Sequence, residues 1–96
     1  MSACQCKREI NHVNSMMLML MEAIADKNWE SAETYQDITK EAIKSVGKCS
    51  NTDVSSAIRR MENVKDYLIT KEIRPTMRVL QDTFWEMIGD VCKTEV

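Results

Sequence analysis

Four cysteines and a single histidine are the residues of this chain best equipped for chemistry. Cys4 and Cys6 form a Cys-x-Cys pair, Cys49 lies mid-chain and Cys92 close to the end. Thiolates serve as nucleophiles and as soft metal ligands, and paired thiols form disulfides. Nucleophilic catalysis also needs a base beside the nucleophile. His12 is the sole histidine, and no cysteine stands at a helical spacing from it. The two glycines, Gly47 and Gly89, are isolated, so no glycine-rich phosphate loop is present. Glu62 and Asp66 are i,i+4 neighbours on a face that should be solvated, which gives no reason for a perturbed carboxyl. These residues predict a protein that is not an enzyme.

The cysteines matter only if the fold brings them together. With two glycines and one proline the chain lacks the turn residues that tight hairpins require, so an all-α fold is expected. In the first helix, about Lys7 to Ala25, Ile10, Val13, Met17, Leu20 and Ile24 recur at three- and four-residue steps. Asp26 and Asn28 mark a reversal. A second helix runs from Trp29 to Val46, with Trp29, Ala32, Tyr35, Ile38, Ala42 and Val46 facing inward. Gly47 suits a left-handed position just past its end. Ser50 and Asp53 match a capping box. A third helix then carries Ala57, Ile58, Met61, Val64 and Leu68. The later stripe (Ile69, Ile73, Met77, Leu80, Phe84, Met87, Val91) centres roughly 130–140° away from it at the helical period. A break or sharp kink is therefore expected between Thr70 and Pro75. The expected architecture is a single domain over residues 1–96: a small antiparallel bundle of three to four helices with short loops, preceded by a flexible segment at 1–7.

An up-down-up-down bundle puts Cys4, Cys6, Cys49 and Cys92 at one end. A cytoplasmic chain would carry them as free thiols, without a cofactor. A tetrathiolate zinc site or an end-clip disulfide is the alternative that this geometry allows. The start of the chain is polar and lacks a signal-peptide pattern, and the longest apolar run, MMLMLM at 16–21, is too short for a bilayer. A cytoplasmic location with no membrane association follows as the expectation.

That run carries the functional reading. Met17, Leu20 and Met21 belong to the main face of the first helix; Leu18 points away from it, and Met16 and Met19 lie on its flank near His12. The middle of the helix is apolar around most of its circumference, more than a domain this small can enclose. Methionine suits adaptable binding surfaces. Trp85 is one residue beyond mid-stripe Phe84 and projects about 100° away from it, and tryptophan is enriched at interface centres. Met16, Leu18, Met19 and Trp85 are the candidate partner-binding residues. The competing reading for each is a core or bundle-edge position. The net charge of −2 argues against nucleic acid as partner, and the bases near Pro75 are diluted by Glu72 and Asp82.

Residues 20–38, LMEAIADKNWESAETYQDI, resemble the helix–turn–helix of a tetratricopeptide repeat, with Ala32 at the small position. Gln36 and Thr39 replace the aromatic and the alanine preferred there, and no second copy follows. The same stretch, about a fifth of the chain, is similar in style to small flagellar or type III export chaperones. Compact phage-encoded proteins that redirect a host enzyme share the profile. The expected function is a helical module, an adaptor or inhibitor, that docks on a larger protein and modulates it. An export chaperone, a self-associating homodimeric bundle and a zinc-clipped domain are the alternatives.

Overall fold

The computed structural model describes residues 6–92. Among them are four helices: α1 (Lys7–Ala25), α2 (Trp29–Ser50), α3 (Ser55–Ile69) and α4 (Arg74–Cys92). Connections this short force neighbouring helices to run antiparallel, and the result is an elongated all-α bundle of 42 × 20 × 18 Å. The two helices of the first hairpin, α1 and α2, share the most extensive contact; α3 packs on α2, α4 packs on α3, and α4 closes only lightly against α1. Among the described residues, no helix is long and apolar enough to cross a membrane. Most of the segment expected to be flexible lies outside the described residues. Its last two residues are held, Cys6 at the start of α1 and Lys7 inside it.

The α3–α4 break falls where the change of apolar face predicts it, and Pro75 occupies the first turn of α4, where its missing N–H removes no helical bond. The remaining helix ends follow a rule that the sequence hides. Lys27 and Lys71 both adopt left-handed backbone conformations, with φ of 61° and 58°. After α1, Lys27 N–H donates to Ile24 O and Asn28 N–H to Ala23 O; after α3, Lys71 N–H donates to Leu68 O and Glu72 N–H to Tyr67 O. Both are Schellman endings, usually built on glycine, here built on lysine. At the end of α2 the left-handed residue is Asn51, φ 54°. Gly47 is not the helix terminator that the sequence suggests. It lies inside α2, buried, and a Cβ there would sit 2.7 Å from Val54 Cγ2 and 3.2 Å from Thr52 O. Its role is to let the α2–α3 connection fold back onto the helix. The capping box is also displaced. Ser50 ends α2, the N-cap of α3 is Val54 without a side-chain cap bond, and Asp53 just before it accepts from Ser55 N–H at 2.9 Å. Asn28 caps α2 as expected, accepting from Ser31 N–H.

The core is formed by Val13, Met17, Leu20 and Ile24 of α1, Ile43 and Val46 of α2, Met61 and Val64 of α3, and Leu80 and Met87 of α4. On α2 and α4 the buried face is rotated away from the most apolar stripe. Gln36, Thr39, Thr76 and Thr83 are fully buried, while Tyr35, Met77 and Phe84 are half-buried and Ile38 is exposed. The physical reason is size and satisfied polarity. Each threonine hydroxyl donates to a carbonyl one turn back: Thr39 to Tyr35, Thr76 to Glu72 and Thr83 to Val79. A threonine so bonded packs as a small apolar group and admits a close neighbour, whereas Phe84 would not fit at the same point. Gln36 spans two helices, its Nε2 donating to Met61 O at 2.6 Å, and its Oε1 is buried without a hydrogen-bond partner.

Candidate functional site

The cysteine end of the bundle comes first. Antiparallel packing of α1 and α2 brings Cys6 and Cys49 to a Cα separation of 6.1 Å, within bridging range, and they form a disulfide. Cys92 is disulfide-bonded as well, and no free cysteine remains among the described residues. This replaces the free thiols expected from the sequence with the end clip. Glu9 lies beside the bridge, and its carboxylate and the two sulfurs fall within 4.8 Å of one another. Bridged sulfurs are not the thiolates that zinc requires, so Cys6 and Cys49 as they stand do not supply the proposed tetrathiolate set; Cys4 falls outside the described residues. Cys6 has φ 64°, and α1 has no side-chain cap at its start. The covalent tie to α2 fixes the entry to α1 where capping would otherwise do so.

The four candidate partner residues are distributed over the surface. Met16 is half-buried, Met19 is 39% exposed, and Leu18 and Trp85 are 58% and 69% exposed. Leu18 and Met19 are consecutive, so they diverge by about 100° around α1. Met16 and Met19 share the flank that carries His12. Leu18 lies on the opposite flank. Trp85 stands on the outer face of α4, its ring edge-on to Phe84 at 6.0 Å. Trp29 is half-buried against the core, as a wedge beneath the first turn of α2 would be.

On the side of α1 that carries His12, a furrow separates α1 from α2. It contains a hollow of about 340 Å³ lined by His12, Asp37, Ile38, Glu41, Ala42 and Ser45. A second hollow, of about 390 Å³, shares His12, Ala42 and Ser45 and adds Arg8 and Glu9. A third, of about 470 Å³, is lined by α2 alone, from Glu30 to Ile38. Ile38 is the residue that sequence reasoning missed. Its apolar character placed it in the core stripe, and only the rotation of α2 toward Gln36 and Thr39 turns it outward. The fold also brings His12 and Ser45 into one hollow, which no sequence spacing foretold. The Ser45 hydroxyl donates to Glu41 O in its own helix, so its proton is not directed to the imidazole as a nucleophile's would be.

Another hollow, of about 640 Å³, lies at the α2–α3 connection and is lined by Lys44, Lys48 and Arg59 together with Asp53 and Glu62. Asp53 accepts from the backbone amide and the hydroxyl of Ser55, and these bonds hold its carboxyl below the ordinary aspartate range. The mixture of signs and the bond from Ser55, the first residue of α3, to Asp53 give this hollow a structural character. Across α3 and α4, Glu86 accepts from Ser56 and pairs with Arg60 at 3.3 Å. The chain matches no protein-family model, no curated protein and no solved structure, so the site rests on its own geometry.

Proposed function

We propose that this protein is a helical, non-enzymatic binding module that docks on a larger protein through its outward apolar side chains. One observation carries the reading: the fold buries Gln36, Thr39, Thr76 and Thr83 completely while leaving Leu18, Met19, Ile38, Ile69 and Trp85 in solvent. An isolated exposed leucine is ordinary. A chain that spends interior positions on polar residues and presents methionine, isoleucine and tryptophan outside has apolar area to bury elsewhere, and such side chains are the usual anchors of interfaces. The bridged cysteines support action in an oxidising setting rather than the cytoplasm expected from the sequence.

Trp85→Ala and Met19→Glu test the reading. Each should leave the melting curve within about 0.5 kcal/mol of the parent, as exposed positions do, and each should abolish capture of the partner that the parent protein retains from lysate. Loss of the folded state in both variants would return these side chains to the core and end the proposal. Light scattering separates the self-associating alternative, since a strictly monomeric protein excludes it.

A further inference from the structure

We propose that the Cys6–Cys49 bridge is a redox switch whose reduced form, together with Glu9, is a zinc site; this stands independently of the docking reading. Three side chains of ligating type converge at this end of the bundle. The Glu9 carboxylate and the sulfurs of Cys6 and Cys49 lie within 4.8 Å of one another. A tetrahedral zinc separates sulfur and oxygen ligands by about 3.5–3.8 Å, so once the bridge is open small side-chain rotations suffice to enclose the ion. Two thiolates select zinc over magnesium or calcium, which take all-oxygen sets. Cys49 is exposed, so water completes the tetrahedron, as in zinc sites with three protein ligands. Two thiolates and a carboxylate around a divalent cation leave a net negative charge, and Arg8, which lines a hollow with Glu9, offsets it.

The fold holds the ligands near one another in both states. Glu9 lies in the first turn of α1, and Cys49 lies one residue before the end of α2. These two helices share the most extensive contact in the bundle, and Ile10, Val13 and Val46 next to the ligands are buried. Cys6 is held differently. Its backbone is left-handed, φ 64°, without a side-chain cap, and its carbonyl accepts from Ile10 N–H at 2.9 Å. A left-handed cysteine is unfavourable unless its surroundings fix it. The bridge fixes it in the oxidised form and the metal takes that place in the reduced one. A dithiol is the reductant that the switch requires. Its thiolate reaches the exposed Cys49 sulfur, forms a mixed disulfide and expels Cys6 as a thiolate. The second thiolate of the dithiol then attacks its own sulfur in the mixed disulfide, expels Cys49 and departs as a cyclic disulfide. Two electrons pass to the protein and the two thiol protons go to Cys6 and Cys49. Zinc binding releases those protons to solvent.

The test uses the intact protein and zinc alone, after anaerobic reduction with dithiothreitol and desalting, at a temperature where circular dichroism shows the sample folded. Competition with a chromogenic chelator should show zinc on the reduced parent and none on the oxidised parent. Zinc should also raise the Tm of the reduced form by mass action, and cobalt(II) in its place should give the visible absorption of a tetrahedral thiolate site. Glu9→Gln should lose about tenfold or more in affinity, since even partners outside the ligand shell cost that much. Cys6→Ser/Cys49→Ser should lose zinc, whereas Cys92→Ser should keep it. Four results would each overturn the proposal: no zinc on the reduced parent, equal affinity in Glu9→Gln, zinc retained by Cys6→Ser/Cys49→Ser, or zinc lost in Cys92→Ser, which would move the site to another set of thiols. Should the double serine variant fail to fold, Glu9→Gln and Cys92→Ser decide the case, because both keep the Cys6–Cys49 pair.

Discussion

The double substitution Cys6→Ser/Cys49→Ser removes the bridge between α1 and α2 and leaves Cys92 untouched. Cys49 is exposed and Cys6 half-buried, so serine at both sites costs little packing and the effect reports on the covalent tie. The bridge closes a loop with a sequence separation of 43 residues. In the chain-entropy model, a loop of that length lowers the entropy of the unfolded chain by about 13 cal/mol/K, worth about 4 kcal/mol at room temperature. For a domain of this size that corresponds to a fall in Tm of roughly 16–32 °C. Because Cys92 is bridged as well, the unfolded chain keeps another constraint and the observed loss should lie toward the lower end. The assay is thermal unfolding followed by circular dichroism without reductant, with thiol alkylation and mass spectrometry on the native parent. A Tm within a few degrees of the parent would refute the reasoning. So would ready alkylation of Cys6 and Cys49 in the folded parent, because the bridge would then not exist.

Lys71→Gly should stabilise the protein by about 1 kcal/mol, since the left-handed backbone at this position costs a lysine about that much and a glycine nothing; urea unfolding midpoints read the gain, and a loss would show that the lysine side chain matters there. Gly47→Ala should destabilise by about 1–2 kcal/mol despite the better helix propensity of alanine, because its Cβ would press on Val54 and Thr52; adding Val54→Ala should recover part of the loss. Gln36→Leu should fall within about 1 kcal/mol of the parent, since the bond to Met61 and the unpaired Oε1 disappear together, whereas Gln36→Glu buries a carboxylate and should unfold the protein at neutral pH; a large loss in the leucine variant would show that the glutamine pins α2 to α3. Asp53 has a folded-state pKa below its unfolded value, so its contribution is fully present above the unfolded pKa and is lost as pH falls through the folded one; Asp53→Asn should flatten the acid limb of stability against pH, and an unchanged limb would remove Asp53 as its source.

The sequence by itself determined the helices. Three- and four-residue apolar spacing sets them out, Asn28 starts α2, and the change of apolar face before Pro75 separates α3 from α4; these are properties of one turn and its neighbours, so they need no knowledge of the rest of the chain. Short connections likewise imply antiparallel packing and a shared end for the cysteines. What only the tertiary structure decided is which side of each helix points inward. Hydropathy favoured Tyr35, Ile38 and Phe84 over Gln36, Thr39 and Thr83, but interhelical distance rewards small volume, and a threonine hydroxyl bonded to its own helix loses its polar cost. The same limit explains Gly47. Glycine is read locally as a left-handed terminator, yet here lysine and asparagine take those positions and glycine goes where the α2–α3 connection presses closest. The hollow between α1 and α2, with Ile38 turned outward beside Asp37 and Glu41, is a consequence of that rotation. No spacing along the chain contains it, because it exists only where two helices meet.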